Sequence, residues 1–272
     1  MSDSVNIDEC CTVALDLARK AGEIIRAAIN KRKNIKTKIS NVDLVTETDK
    51  EVEEFLITNF KSHFPDHCFI GEETTGCHLT DSPTWIIDPV DGTMNFVHRF
   101  PYTAVSIGLS LEKEIVLGIV YNPVLDKMFT GVKGKGSFCN GERLQVSGTE
   151  DLSQALILSE FGSDRSPESK EQIFQNLHLF MEKAHGIRMM GSAALNMCEV
   201  ASGHADAYVE YSIHCWDMAA GKIIVEEAGG TVIDPTGAPL DLMSRRVLCS
   251  SSPVLAEVLA KELKHIQFPR DE

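Results

Sequence analysis

Trp85-Ile86-Ile87-Asp88-Pro89-Val90-Asp91-Gly92-Thr93-Met94-Asn95-Phe96 is the stretch on which the reading of this chain turns. The apolar run Trp85 to Ile87 reads as the end of a buried strand. Pro89 has a fixed φ and no N–H to give to a ladder, so the strand is predicted to stop at Asp88. Asp88 and Asp91 then lie three apart across a tight turn, with Gly92 supplying backbone freedom. A short helix is predicted to begin near Thr93 and Asn95, its N–H groups pointing outward. Two carboxylates at a rigid strand end, beside a free helix N-terminus, make a place for a hard cation and a phosphate together.

Outside that stretch the chain sets broad bounds. Its 272 residues suffice for one large domain or two small ones with a substantial core. The charge is −14, from 40 Asp and Glu against 26 Lys and Arg. Such a surface repels nucleic acid and anionic membranes, so neither is expected as a partner. It would repel a phosphorylated substrate too, unless bound cations invert the local field, and this tension favours a metal. No run approaches the ~20 apolar residues of a membrane span, and Met1-Ser2-Asp3-Ser4 lacks a signal-peptide pattern. The eight cysteines form no CxxC pair and read as free thiols of a reducing cytoplasm.

In chain order, helical spacing runs through Val5 to Asn30, and again from Lys50 to Phe64 with Thr48 or Asp49 as its N-cap. Lys36 to Asn41 reads as a loop, Cys68 to Ile70 as a short strand, and Thr74 to Pro83 as a polar loop. Ala104–Leu111, Ile115–Tyr121, Lys127–Val132 and a piece near Ser137–Leu144 alternate with turn signals, as in an antiparallel meander. The second half alternates strands (155–159, 187–189, 205–210, 231–233, 246–250) with helices (168–184, 192–201, 217–228, 253–265). Ser192 is a candidate N-cap there, and Gly229-Gly230 a helix stop. Mixed sheets layered with helices follow, with no obvious linker.

Four acidic positions fall where a strand ends or a helix begins: Glu72, the Asp88/Asp91 pair, and Asp217. Mg2+ takes oxygen ligands and often a substrate phosphate besides. Asp88 could bridge two ions, and the backbone carbonyl of Val90 is placed to contribute. Any one of these acids alone would more simply be a cap or turn residue. The Asp88–Thr93 string, with Gly71-Glu72-Glu73 upstream and His214-Cys215-Trp216-Asp217 downstream, is too specific for that.

These motifs resemble those of the inositol monophosphatase family. Trp85 to Thr93 and Trp216-Asp217-Met218-Ala219-Ala220-Gly221 are similar to its two signatures. Asp43 to Asp49, Phe96 to Pro101, Gly134 to Gly136, Phe138 to Gly141 and Asp241 to Val247 extend the similarity over nearly the whole chain. The resemblance implies one domain, residues 1–272, of the α+β class. Its expected form is a layered αβαβα sandwich with mixed, largely antiparallel sheets, as in sugar phosphatases. It implies Mg2+-dependent hydrolysis of inositol monophosphates to myo-inositol and phosphate, by direct attack of a metal-activated water with no phosphoenzyme. Two to three Mg2+ per subunit, a cytoplasmic homodimer and inhibition by Li+ are implied as well.

By position, Glu72, Asp88, the Val90 carbonyl, Asp91 and Asp217 would be the metal ligands. Glu72 would hold the attacking water through a metal, with Thr93 and Asp49 orienting it. Phosphate would rest on the N–H groups of Gly92 and Thr93. Gly191, Ser192 and Ala193 match the turn that contacts substrate, and Glu210 the acid that accepts from inositol hydroxyls; Glu72, Val90, Asp91 and Asp217 border the same substrate. A short loop between Glu73 and Trp85, and Tyr211-Ser212 beside Glu210, depart from the family pattern. His214 could lie near the leaving group, although a structural role is the simpler reading; Lys38 reads as a loop charge, and Cys215 lacks an adjacent base. Competing readings are a related sugar- or nucleotide-phosphate phosphatase and a non-catalytic binding protein sharing the fold. An aspartyl-phosphate enzyme would space its two aspartates by two, not three.

Overall fold

Apolar residues recurring at helical spacing build the first helix, α1 (Ile7–Ala28), whose buried stripe includes Ala14, Leu17, Ala18, Ala21 and Ile25. The computed structural model describes residues 5–31, 35–37, 44–73 and 78–271, so Lys38, Asp43 and Cys77 lie outside what is described here. Part of the expected 36–41 loop is instead strand: β1 (Ile35–Thr37) pairs antiparallel with β2 (Leu44–Thr46). That pairing leaves Thr46 extended at the mouth of α2 (Glu47–His63). Thr46 is therefore the N-cap in place of the expected Thr48 or Asp49, and Asp49 closes a capping box from the third position.

β3 (Cys68–Gly71) runs parallel to β4 (Thr84–Asp91), and the expected stop at Asp88 is wrong. β4 continues through Pro89, because its register with β5 (Ala104–Leu111) shifts between Asp88 and Asp91. Three residues there span two on the partner, a bulge in which Pro89 owes the ladder no N–H. Val90 gives its own N–H to Asp88 Oδ1, 2.9 Å away. The helix expected next is α3 (Thr93–His98), entered through Gly92 in the left-handed region at φ +80°. β6 (Glu114–Asn122), β7 (Lys127–Val132), β8 (Gly136–Cys139) and β9 (Glu142–Arg143) complete the predicted meander. The result is a seven-stranded sheet ordered β3 to β9.

The second half supplies β10 (Leu156–Ser159), α4 (Pro167–Lys183), β11 (Gly186–Arg188), α5 (Ala193–Ala201), β12 (Ala207–Tyr211), α6 (Cys215–Glu227), β13 (Thr231–Ile233), β14 (Arg246–Ser250) and α7 (Pro253–Glu262). α7 ends three residues before the expected His265, where Leu263 turns extended. The five strands form a mixed sheet ordered β11-β10-β12-β14-β13. Side chains of α1 and α2 pack on one face of the large sheet, and α5 and α6 fill the space between the sheets. α4 and α7 cover the far face of the small sheet. This is the predicted αβαβα layering. No helix of the described residues is long and apolar enough to cross a membrane.

A lane of glycines lets α6 lie close on the large sheet. Gly108, Gly118 and Gly131 are register partners on β5, β6 and β7. A Cβ on Gly118 would stand 2.4 Å from the Ala220 carbonyl oxygen, and one on Gly131 2.9 Å from Ile224 Cα. Three larger residues would lift the helix, and with it Asp217 in its first turn.

Candidate metal centre

Side chains alternate along a strand, so Asp88 shares the face of Ile86, which packs into the layer of α5 and α6. The bulge then turns Asp91 the same way, and α6 delivers Asp217 from the opposite side. Oxygen atoms of Asp88, Asp91 and Asp217 all lie within 4.8 Å of one another. Asp88 and Asp217 also share a hydrogen bond.

Each acid is locked by its surroundings. Asp91 accepts from the Ser192 hydroxyl and, at 3.1 Å each, from the N–H groups of Ala193 and Ala194. Ser192 is the predicted N-cap of α5, so Asp91 is held by the free end of that helix. Asp217 accepts from the His214 N–H at 2.7 Å, closing the capping box of α6. Asp49 accepts from the Thr46 N–H at 3.0 Å and from Thr93 Oγ1 at 3.2 Å. Thr93 Oγ1 also lies 3.1 Å from the Val90 carbonyl oxygen. Glu72 follows β3, its N–H bonded to the Ile87 carbonyl at 3.2 Å. It stands outside the tight triad but lines the same cavity, and its charge acts on Asp88.

Burial and crowding of like charge set the electrostatics. Burial pushes the Asp88 carboxyl far above the usual range, and Glu72, Asp91 and Asp217 add to it. Burial, then Asp217, raises Asp91 to about 7 against the pull of its three donors. Asp217 is raised by burial as well, although His214 opposes the shift. No Lys or Arg pairs with these three acids among the described residues. Buried carboxylates of this kind are stable as anions when a cation joins them. An all-oxygen donor set of this type fits a hard divalent ion such as Mg2+.

The triad opens into a cavity of about 570 Å3. Glu72, Asp91, Gly92, Thr93, Gly191, Ser192, Ala193, Glu210 and Asp217, predicted from distant parts of the chain, all line it; Asp88 and Val90 lie beneath. Gly92 is needed at the cradle: a Cβ there would meet the Gly191 carbonyl at 2.9 Å and the Tyr102 carbonyl at 3.0 Å. Asn95 ties these turns together, its amide donating to the carbonyls of Tyr102 and Met190. His214 lines the same cavity, and both its ring nitrogens are engaged by the protein. Arg245 Nη2 can only donate to Nε2, 3.3 Å away, so the ring proton sits on Nδ1 and goes to Asp271, 2.8 Å away. The ring stacks on Trp216 with centroids 4.6 Å apart. Cys215 is buried, and its thiol is raised by that burial.

Several lining residues were passed over in the sequence, among them Met94, Glu160, Ser163 and Arg165. Glu160 follows β10 and bonds to Met190, Gly191 and Asn196. An acid just past a buried strand is the signal that singled out Glu72 and could have found it.

Fold and site together define a layered α+β protein with a carboxylate cluster able to hold a metal ion beside the Gly92 turn. The inositol monophosphatase family model matches residues 6–267, and the chain belongs to that family. It is 53% identical to inositol monophosphatase 1 of Homo sapiens over 97% of each chain. Among solved structures, the suhB protein of Bartonella henselae superposes with a TM-score of 0.86 at 32% identity, covering 93% of this chain and 97% of that one. The inositol monophosphatase of Anabaena gives 0.84 at 31%, covering 95% and 96%.

Proposed function

We propose that this chain is a phosphoric monoester hydrolase that releases phosphate and free myo-inositol from inositol monophosphates, with Mg2+ as cofactor. The observation that carries the reading is the triad of buried Asp88 and Asp91 with half-buried Asp217, opening beside the Gly92 turn. Family membership and the similarity to inositol monophosphatase 1 support the substrate.

In this reading Glu72, Asp88, the Val90 carbonyl, Asp91 and Asp217 hold two to three divalent ions. Bound there, such ions neutralise phosphoryl oxygens, lower the pKa of water and stabilise the departing alkoxide. The chain's own groups do the rest. The N–H groups of Gly92 and Thr93 receive phosphate oxygens at the start of α3, and the turn Gly191-Ser192-Ala193 closes the opposite side. The Thr93 hydroxyl donates its hydrogen bond toward Asp49 and the Val90 carbonyl, which leaves an Oγ1 lone pair to accept from the attacking water. Glu210 faces the alcohol part of the substrate. Positioning and charge supply the acceleration, with no covalent intermediate.

The reading extends to one functional unit over residues 1–272, a homodimer, inhibition by Li+ and a cytoplasmic setting that keeps its free thiols reduced. The test is phosphate release from myo-inositol 1-phosphate, fructose bisphosphate and phosphoadenosine phosphate, with Mg2+ or with chelator. Mg2+-dependent turnover favouring the inositol ester is expected; turnover unchanged by chelator, or confined to the other two, would overturn the assignment.

A further inference from the structure

The cavity wall opposite the metal centre carries two acids, and only one has a role so far. β10 and β12 run parallel with Ser159 opposite Val209. One residue further, Glu160 and Glu210 are neighbours on strands roughly 4.8 Å apart. Leu158 and Tyr208 pack into the middle helical layer, so by alternation Glu160 and Glu210 share that face.

The two acids divide their oxygens in the same way. Glu160 Oε1 accepts from the N–H groups of Met190 at 2.6 Å and Gly191 at 2.7 Å, and from the Asn196 amide at 2.9 Å. Its Oε2 has no partner among the described residues and is not among the buried atoms left unpaired, so it opens on the cavity that Glu160 lines. Glu210 is 7% exposed, and its Oε2 takes the Tyr208 hydroxyl. Its Oε1 likewise has no described partner and opens on the same cavity.

We propose that Glu160 is a substrate-binding residue that works with Glu210, each accepting a hydrogen bond from a hydroxyl group on the ring of the alcohol. Burial raises both carboxyls, and the charge of Glu160 adds to the shift at Glu210, so a hydrogen bond from a ring hydroxyl favours the ionised form of either, whereas an alcohol without hydroxyls leaves desolvated oxygens unpaired. Selectivity then comes from that penalty. This rests on the functional reading above and adds to it the residue that chooses polyol esters.

The experiment compares myo-inositol 1-phosphate with phenyl phosphate, which has no ring hydroxyl, at saturating Mg2+. Glu160→Gln keeps a carbonyl for the three donors at Oε1 and places an NH2 donor where Oε2 stood. KM for the inositol ester should rise by about tenfold with kcat little changed. For phenyl phosphate, kcat/KM should stay within about twofold. Glu210→Gln, which keeps a carbonyl for the Tyr208 hydroxyl and replaces only the cavity-facing oxygen, is the second variant, with the same expected selectivity for the inositol ester. Equal losses on both substrates would mean that Glu160 only supports the 190–191 turn and Asp91, and unchanged kinetics would mean that it touches no substrate. Either result overturns the proposal. A wild-type protein that hydrolyses phenyl phosphate but not the inositol ester would instead bring down the functional reading, before any variant is measured.

Discussion

Removing divalent ions should leave a fold that weakens as pH rises from 6 to 8, with Asp91 a principal cause. Asp91 is 4% exposed, and burial with Asp217 raises its carboxyl to about 7 in the native chain. In the unfolded chain an aspartate ionises near ~3.9. Between these values the native state holds a proton that the unfolded state has given up, so stability falls with rising pH until the native carboxyl has ionised too. The whole gap corresponds to about 4 kcal/mol, of which about 1 kcal/mol is lost between pH 6 and 8. Asp91→Asn has no such proton to lose, and it also relieves Asp88 of one repelling charge. Urea unfolding in chelator at pH 6, 7 and 8 should show the wild-type chain losing about 1 kcal/mol more than the variant. Groups remote from the triad are common to the two proteins and cancel in the comparison, while Asp88, relieved of the Asp91 charge in the variant, widens the difference in the same direction. Saturating Mg2+ should reverse the wild-type trend, because the ion binds the ionised form. Parallel pH curves for the two proteins in chelator would refute the electrostatic account of the triad.

Asp88→Asn should cut phosphate release by about 10²–10³-fold at saturating Mg2+. The same variant should melt at a higher temperature than wild type in chelator, since a buried acid repelled by Glu72, Asp91 and Asp217 is gone. Gly92→Ala adds a Cβ against two backbone carbonyls at φ +80°, so urea unfolding should show a loss of about 2 kcal/mol, and turnover should collapse with it. His67 Nδ1 accepts from the buried Trp85 indole N–H at 3.0 Å, and burial lowers its pKa. Its contribution is therefore present above the unfolded value near ~6.5 and lost as pH falls below it. His67→Leu should cost about 1 kcal/mol at pH 8 and flatten that acid-side loss in urea titrations.

Local features were legible because their causes are local. The apolar spacing of α1, the cap Ser192 before α5 and the glycine stop after α6 were all read correctly, as was the antiparallel meander. The failures came where a distant partner outvoted a local rule. Pro89 ends most strands, yet β5 accepts it through a bulge. Thr46, Thr48 and Asp49 were all competent caps, and pairing of β2 with β1 decided for Thr46.

Residue identity by itself determined which oxygens could serve: Asp88 and Asp91 are bound to one short stretch of chain, and nothing in folding could separate them. Whether Asp217 would join them was decided only in three dimensions. It depends on three glycines meeting across β5, β6 and β7 so that α6 can settle, and on α5 turning its free N–H groups toward Asp91. The pairing of Glu160 with Glu210 has the same origin, a register between parallel strands some 50 residues apart in sequence. Periodicity along a chain reports the face on which a side chain emerges, but what stands opposite that face is set by how layers close on one another.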